Sequence, residues 1–297
     1  MKIVIGSRAS ELAVRQSEWV RDQILAEHST YEVEIVKIKC EGDKQLNQPL
    51  ALIGGKGLFT KELEEALLEG RIDLAVHSLK DVPRVVSEKL PVLAYTKREN
   101  AMDAWILPDN PRKIKRIGTS SFRRMVQLKQ LYPAMEFVPI RGNIQTRLEK
   151  LNNGECDATV LAAAGLVRLN ILARANRIFG IHEMIPAAGQ GILAIQGRAD
   201  QNYDYLSTLD DRDSRDAYAA ELAFVQELGA DCMAAVGAYA QMQSPKQLRL
   251  YTMVTDDKNK VHFACMGGKR EDGSKIGKIL AQNFLSRMTL AEFDKGY

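Results

Sequence analysis

The sequence predicts an α/β protein with two α/β units that meet at a cleft, followed by a small α+β unit. Three observations lead to this fold class. Short apolar segments alternate with segments of helical periodicity from residue 2 to residue 76. The same alternation returns from residue 117, and the C-terminal part of the chain changes to helix, paired strands and helix. Strand–helix alternation is typical of parallel sheets with helices on their faces.

The first unit is predicted from five alternating elements. Its first helix carries Leu12, Val20 and Ile24 near helical spacing, and Gly70 is placed to end the second helix. The predicted elements are a strand at 2–5, a helix at 10–26, a strand at 33–38, a helix at 58–69 and a strand at 72–76.

The second and third units are predicted in the same way. In the second unit we expect a strand at Ile117, a helix at 122–132, a strand at 136–140, a helix at 145–152, and strands at 157–161 and 192–195. In the third unit we expect a helix at 214–228, antiparallel strands at 247–255 and 260–265 around the turn 256–259, and a helix at 275–288. Open α/β sheets bind ligands beyond the carboxyl ends of their strands, so functional residues are expected in the strand–helix loops.

Length and composition are those of an ordinary globular protein. With 297 residues, 45% hydrophobic and 27% charged, the chain can bury a core in each unit. A net charge of +3 does not by itself indicate a nucleic-acid or membrane partner. No apolar run approaches the roughly 20 residues of a bilayer span, and the first residues lack the longer apolar core of a secretory signal. We therefore expect a cytoplasmic protein.

The cysteine pattern excludes a C-x-x-C metal or redox pair. Cys40, Cys156, Cys232 and Cys265 are widely spaced along the chain. Free cysteines are the default in a reducing cytoplasm. Taken alone, Cys232 is typical of a buried structural thiol.

Residues that could carry chemistry follow the strands of the first unit. Lys80 and Asp81 follow the third strand, where a carboxylate can stabilise developing positive charge or move a proton. The alternative is a surface ion pair. Arg8 and Ser10 follow the first strand, where Ser10 could instead cap a helix and Arg8 could be solvated. The glycine-rich segment 54–57 suits an anion site, a mobile loop or a plain hinge.

Arginines recur at the strand–helix junctions of the second unit. Thr119 and Ser121 precede a helix whose first turn contains Arg123 and Arg124, where cations oppose the helix macrodipole. Such a local conflict is expected at functional sites. The same theme continues in Arg141, Gly142, Arg147 and Arg168. The guanidinium fork pairs with carboxylates through two hydrogen bonds, so convergence of these residues predicts a multi-carboxylate ligand. Nucleic acid is the competing partner, but the chain lacks a helix-turn-helix, a basic stripe or an aromatic platform.

Six segments, taken in order, carry recognisable motifs. They are Gly6-Ser7-Arg8-Ala9-Ser10, Gly54-Gly55-Lys56-Gly57-Leu58-Phe59, Ala75-Val76-His77-Ser78-Leu79-Lys80-Asp81-Val82-Pro83, Gly118-Thr119-Ser120-Ser121-Phe122-Arg123-Arg124, Arg141-Gly142-Asn143 and Pro186-Ala187-Ala188-Gly189-Gln190-Gly191. Together they resemble the porphobilinogen deaminase family, to which the HS-x-KD-x-P and GTSS-x-RR segments are specific. The order and spacing of the segments hold to about residue 240.

The resemblance implies three domains and a covalent cofactor. Two domains are expected to resemble bacterial solute-binding proteins, at 1–96 with 189–208 and at 97–188, and the third is expected at 209–297. The third domain is expected to carry a dipyrromethane cofactor through a thioether to Cys232. The loop departs from the family pattern, because Ala230-Asp231 replaces Gly-Gly. The acidic neighbour should disfavour the thiolate.

Two further departures lie close to that loop. Ala235 stands where the family has a proline, and Leu222 stands where it has an arginine.

The resemblance also implies the activity, which is the head-to-tail condensation of four porphobilinogen molecules into hydroxymethylbilane with loss of ammonia. Loss of ammonia leaves an electrophilic azafulvene, and positive charge builds on pyrrole nitrogens. A carboxylate such as Asp81 can offset that charge. The alternative function is a non-catalytic two-domain clamp for a small polyanion.

The resemblance assigns roles to residues of this chain. The catalytic residues are Asp81, Lys80 and Arg8. The cofactor-binding residues are Cys232, Lys80, Asp81, Thr119, Ser121, Arg123, Arg124, Arg141 and Gly142. The substrate-binding residues are Arg8, Ser10, Arg141, Arg147, Arg168 and Gln190. We expect no metal, no nucleic-acid or membrane partner, and a monomer.

Overall fold

The computed structural model describes residues 1–40, 60–229, 235–256 and 258–293, with side chains up to residue 287. These residues form two five-stranded sheets and one three-stranded sheet, all covered by helices. The predicted α/β class with a small third unit is confirmed.

The helices and strands follow in chain order. They are β1 (Lys2–Arg8), α1 (Glu11–Glu27), β2 (Glu32–Ile38), α2 (Lys61–Leu68), β3 (Leu74–Ser78), β4 (Val92–Tyr95), β5 (Asp103–Ile106), β6 (Arg116–Gly118), α3 (Phe122–Leu131), β7 (Glu136–Val138), α4 (Ile144–Asn152), β8 (Ala158–Ala162), α5 (Ala163–Arg168), β9 (Arg177–Ile178), β10 (Leu193–Gln196), α6 (Arg212–Glu227), β11 (Val236–Ser244), β12 (Gln247–Thr255), β13 (Val261–Lys269) and α7 (Gly273–Phe293).

The first sheet has the strand order β2-β1-β3-β10-β4. Strand β1 pairs in parallel with β2 and β3, as the sequence predicts. Strand β10 is antiparallel to both of its neighbours, and the strand–helix pattern was wrong to group it with the second unit, because it lies in the first sheet. The physical reason is that β10 enters the sheet from the second unit and not through a crossover helix of its own sheet. Buried side chains such as Ile5, Val76 and Ile195 form the core.

The second sheet repeats this plan with the order β7-β6-β8-β5-β9. Strand β6 is parallel to β7 and β8, whereas β5 is antiparallel to β8 and β9. The reversed strand is again the first one formed after the chain crosses between units. In each sheet the reversed strand is therefore the one that the chain forms on arriving from the other sheet, β5 in the second sheet and β10 in the first.

The third unit packs α6 and α7 on the antiparallel sheet β11-β12-β13. Its core includes Phe224, Leu250 and Phe284. Arg98 lies just after β4, and Glu221 lies on α6. Arg98 donates two hydrogen bonds of 2.7 and 2.8 Å to the fully buried Glu221, which connects this unit to the crossover into the second sheet.

Several helix starts follow from residues that cap them. Ser10, Ser121, Asn143 and Asp211 each accept a hydrogen bond from a backbone N–H three residues later, at the starts of α1, α3, α4 and α6. Among the described residues, no helix has the length and apolar character needed to cross a membrane.

Candidate active site

Lys80 and Asp81 lie directly after the carboxyl end of β3, in a short 3-10 turn at Leu79–Asp81. Leu79 is 1% exposed, and its backbone N–H donates to the carbonyl of Ile192 at 3.0 Å. Burial of Leu79 turns the two following side chains outward, and both are exposed. The chain thus presents an ammonium and a carboxylate side by side at the edge that faces the second unit.

The Lys80 side chain is accessible to solvent but surrounded by protein and by other charges. Loss of hydration is the main effect, and it lowers the pKa of Lys80 to about 8. The negative charges of Asp81 and Asp103 raise the pKa of Lys80. The positive charges of Arg124 and Arg123 lower this pKa further. Lys80 is therefore mostly protonated at neutral pH and loses its charge above it.

Arg123 and Arg124 lie at the start of α3 and are 7% and 6% exposed. Both are bound to the fully buried carboxylate of Asp103 on β5. Burial alone would raise the pKa of Asp103, but the two guanidiniums hold it well below its usual range. Desolvation lowers the pKa of Arg123 in turn. The result is a buried cluster with one positive charge in excess.

Gly142 and Arg147 form the next junction, between β7 and α4. Gly142 has a φ of +118°, and a side-chain carbon there would lie 2.7 Å from Cγ2 of Thr146, so only glycine fits. Arg147 Nε donates to the carbonyl of Gly142 at 2.8 Å. Desolvation lowers the pKa of Arg147 to about 10, with further lowering by Arg124 and Arg141 and an opposing effect of Asp81.

The hydroxyl groups at the helix starts accept hydrogen bonds from backbone N–H groups of the protein itself. Ser10 Oγ accepts from Ala13 N, so the N-cap interpretation of this residue is correct. Thr119 is 7% exposed, and its Oγ1 accepts from the backbone N–H of Ser121. A capping hydroxyl keeps its own O–H for a ligand, so capping and binding are compatible. Arg8, at the end of β1, is half-buried.

Arg168 and Gln190 lie at the crossover back to the first sheet. Arg168 Nη2 donates to the carbonyl of Gly191, and desolvation lowers its pKa to about 10 against an opposing effect of Glu99. Gln190 is 1% exposed. Its Nε2 donates to Ala101 O at 2.6 Å and to Asp103 Oδ1 at 3.0 Å.

The structure brings part of the predicted site together across the two units. Six of its residues carry charges that act on one another across the two units, namely Lys80, Asp81, Arg123, Arg124, Arg141 and Arg147. Arg8 acts instead on the buried His77, and Arg168 and Gln190 belong to the crossover. Cys232 and the glycine-rich segment 54–57 lie outside the described residues.

Asp103 is a site residue that the sequence analysis missed. The available signal was a carboxylate inside the apolar segment 102–107, which begins a strand. Its partners lie 20 and more residues away along the chain, so the pairing could not be read from local pattern.

The comparisons with known proteins cover nearly the whole chain. A family model described as porphobilinogen deaminase, dipyrromethane cofactor binding domain, matches residues 3–204. The model of the porphobilinogen deaminase C-terminal domain matches residues 217–286. The porphobilinogen deaminase of Alkaliphilus oremlandii is 44% identical over 95% of this chain and 96% of its own length. That of Ruminiclostridium josui is 41% identical over 97% and 99%.

Among solved structures, the chain resembles the periplasmic aliphatic sulphonate binding protein SsuA from Escherichia coli with a TM-score of 0.37 at 11% identity, over 76% of this chain and 70% of that one. A TM-score this low carries no argument about the fold. The sequence relatives and the two family models carry the assignment. On their evidence the chain belongs to the porphobilinogen deaminase family.

Proposed function

We propose that this chain condenses four porphobilinogen molecules head to tail, with loss of four molecules of ammonia, and that one water molecule releases the product as the linear tetrapyrrole hydroxymethylbilane of porphyrin biosynthesis. The observation that carries the proposal is the match of both family domains to the chain, with relatives over 40% identical along almost all of its length. The charge of the site supports it. Lys80, Arg123, Arg124, Arg141 and Arg147 surround two carboxylates, Asp81 and Asp103, a net charge of +3.

This charge balance fits a polycarboxylate cofactor. Each pyrrole unit derived from porphobilinogen carries an acetate and a propionate, so a dipyrromethane brings four carboxylates. An excess of arginine donors with planar geometry suits such a group. The chemistry that the bound cofactor supplies is a terminal pyrrole whose free α-carbon acts as the nucleophile. We propose that it is attached through a thioether to Cys232.

We assign the chemical step to Asp81, assisted by Lys80 and Arg8. The carboxylate of Asp81 is exposed beside the Lys80 ammonium, and its negative charge also acts on Arg147 of the other unit. A fixed negative charge at this point stabilises positive charge that develops on pyrrole nitrogens. A carboxylate in this position can also take the proton that leaves the attacking carbon.

We assign carboxylate binding to the second unit and to the crossover. Arg123, Arg124 and Arg141 hold the cofactor, with Thr119, Ser121 and Gly142 providing neutral donors. Arg147 and Arg168 keep their charge at every physiological pH, since their pKa values are lowered only to about 10. The full substrate-binding set is Arg8, Ser10, Arg141, Arg147, Arg168 and Gln190.

The remaining assignments concern the whole molecule. We propose a cytoplasmic monomer with domains at 1–96 with 189–208, at 97–188 and at 209–297. The separate sheets, with crossovers between β4 and β5 and between β9 and β10, support these limits.

The test is turnover of porphobilinogen by the purified protein. Four molecules of ammonia should appear for each tetrapyrrole formed, and the intact mass should exceed the chain mass by two pyrrole units. Peptide mapping should locate the adduct on Cys232. Cys232→Ser should remain folded and lose both adduct and activity, whereas Cys265→Ser, at an exposed cysteine on β13, should keep both.

The clamp alternative makes a different prediction for the same sample. A clamp would bind porphobilinogen without releasing ammonia, and its intact mass would equal that of the chain. An active protein of unmodified mass would remove Cys232 from the mechanism, and an adduct on another cysteine would reassign the attachment site.

A further inference from the structure

Asp103 is the point on which the arginine pair converges. Its Oδ1 accepts from Arg124 Nε at 3.1 Å and from Arg124 Nη2 at 2.7 Å. Its Oδ2 lies 2.8 Å from Arg123 Nη1. The carboxylate is fully buried, so these contacts are not exchanged with water. One side chain therefore fixes the position of both guanidiniums.

The remaining contacts of the two arginines leave donors for a ligand. Arg124 Nη1 donates to Val160 O, so three of the five N–H groups of Arg124 are engaged within the protein. Arg123 Nη1 also donates to Ile185 O. Asp103 and these two carbonyl groups together hold the guanidiniums in place.

Asp103 also joins the two crossovers between the units. It begins β5, just after the chain enters the second unit, and its Oδ1 accepts from Nε2 of Gln190, on the segment that returns. The same amide donates to Ala101 O. The orientation of the arginine pair is thereby tied to the segments that set how the two units meet.

A second aspartate in the same sheet shows what a purely structural role looks like. Asp157 precedes β8, accepts from the backbone N–H groups of Lys115 and Arg116, and lies 3.5 Å from Arg112 Nε. It is 5% exposed. Asp103 pairs with Ala162 at the other end of β8, about 16 Å away at 3.3 Å per residue.

We propose that Asp103 is a positioning residue for the proposed reaction, and that its buried carboxylate orients Arg123 and Arg124 toward the carboxylates of cofactor and substrate. This inference rests on the proposed function. Asp103 acts through the arginines and does not itself touch the reacting atoms. Asp103 also acts on Lys80. Its negative charge, like that of Asp81, raises the pKa of Lys80, whereas the positive charges of Arg124 and Arg123 lower it.

The test compares three variants of the full chain, Asp103→Asn, Asp103→Glu and the matched control Asp157→Asn. For each we measure kcat and KM for porphobilinogen, the adduct mass, and the titration of Lys80 by NMR of the ¹³C-methylated protein, with Lys80→Arg to assign the signal. Asp103→Asn should lower kcat/KM by about 100-fold, the scale of a misplacement of about 1 Å. It should also lower the pKa of Lys80, because a negative charge near the ammonium is removed.

Asp103→Glu separates position from charge. It keeps the carboxylate but displaces it by one methylene, so kcat/KM should fall while the titration of Lys80 stays as in the unaltered protein. Asp157→Asn should change neither kcat/KM nor the titration of Lys80, because Asp157 lies at the other end of β8.

Each other outcome decides against the inference. Asp103→Asn with the kcat, KM and Lys80 titration of Asp157→Asn would overturn it, and so would failure of both Asp103 variants to fold when Asp157→Asn folds. Absence of ammonia release by the unaltered protein would instead reject the proposed function, and with it the basis of the inference.

Discussion

The first sheet, β2-β1-β3-β10-β4, and the second, β7-β6-β8-β5-β9, match position by position. Strands β1 and β6 hold the second place, and β3 and β8 hold the third. The fourth place holds the reversed strand in both sheets. The two units are therefore built on one plan, and any difference between them at equivalent places comes from side chains.

At the amino ends of β3 and β8 the two units agree even in side chains. Asp73 precedes β3 and accepts from Val4 N, and Asp157 precedes β8 and accepts from Arg116 N. Each is paired with arginine, Asp73 with Arg198. In each unit the aspartate connects neighbouring strands by a hydrogen bond near their amino ends, β1 with β3 and β6 with β8. This contact belongs to the shared fold.

At the carboxyl ends of β3 and β6 the two units differ. The loop after β3 exposes Lys80 and Asp81. The loop after β6 leads into a helix whose arginines are buried against Asp103. We infer that the two units have different roles. The first unit supplies groups for the chemical step, and the second unit binds carboxylates through arginines held in fixed positions. The two units share one strand order but not one set of site residues.

The largest expected effect tests the chemical side of this division. Asp81→Asn keeps the shape of the side chain and removes its charge, so turnover should fall at least about 100-fold while the protein stays folded. Single-turnover measurements on the adduct-bearing protein isolate the step. The matched control is Asp73→Asn, at the far end of the same strand, which should lower the stability and leave turnover unchanged. A loss of less than tenfold for Asp81→Asn would assign the chemical step elsewhere.

The recognition side is tested by replacing a buried arginine and an accessible one in the same way. Arg124→Lys keeps the charge but cannot make the paired bonds to Asp103, so kcat/KM should fall between tenfold and about 100-fold. The free energy of unfolding should fall by at least about 2 kcal/mol, because charged hydrogen bonds are lost in a buried place. Denaturant unfolding and steady-state kinetics measure the two quantities.

Arg141→Lys is the comparison for that experiment. Arg141 is half-buried, so its replacement should affect kcat/KM with a smaller change in stability. Equal stability losses for the two variants would contradict the distinction between a rigid buried pair and an accessible contact.

A pH profile tests the ammonium of the first unit. The pKa of Lys80 is lowered from 10.5 to about 8, so the group is charged below pH 8 and neutral above it. Because Lys80 assists the chemical step, kcat/KM should fall roughly tenfold as pH increases through that value, the scale of one charge-assisted hydrogen bond. Lys80→Arg keeps its charge at higher pH and should move the fall in kcat/KM out of this range. An unchanged alkaline profile in Lys80→Arg would exclude Lys80 as its cause.

Much of this organisation was predictable from the sequence, and the reasons differ between elements. Long periodic segments such as Glu11–Glu27 and Phe122–Leu131 were predicted to within a residue or two, because their apolar spacing and capping serines agree. The strands Val92–Tyr95 and Asp103–Ile106 were missed, because no α-helix lies between β3 and β6, so the strand–helix alternation that indicated the other strands is absent there. The strand Val236–Ser244 was missed because alanine and glycine dilute its apolar pattern.

The candidate site divides in the same manner. The placement of Asp81 and Arg147 at strand–helix junctions was predicted from parallel-sheet geometry, whereas their roles were implied only by the resemblance to the family. The burial of Arg123 and Arg124 was not predicted, because it depends on a carboxylate about twenty residues earlier on a reversed strand. Which donors face the ligand is a tertiary property, and local pattern does not contain it.

The smallest expected effect concerns the direct contact between the two units. Gln145 Nε2, on α4, donates to Glu11 Oε2, on α1, at 2.6 Å. Beside it, a side chain at Gly165 would come within 2.8 Å of Ile144 and 3.7 Å of Leu12, so glycine lets the units approach. One solvent-accessible hydrogen bond contributes about 0.5 to 1.5 kcal/mol, so Glu11→Ala should raise KM by less than about tenfold.

The same contact can be separated from ordinary surface effects by a double-mutant cycle. If Glu11 and Gln145 act only through each other, Gln145→Ala should raise KM as much as Glu11→Ala, and the double variant should be no worse than either. The control is Glu18→Ala on the same helix, whose partner Arg15 belongs to the same unit, and KM should not change. Effects that add in the double variant would show two independent surface changes, and the contact would then have no part in bringing the units together.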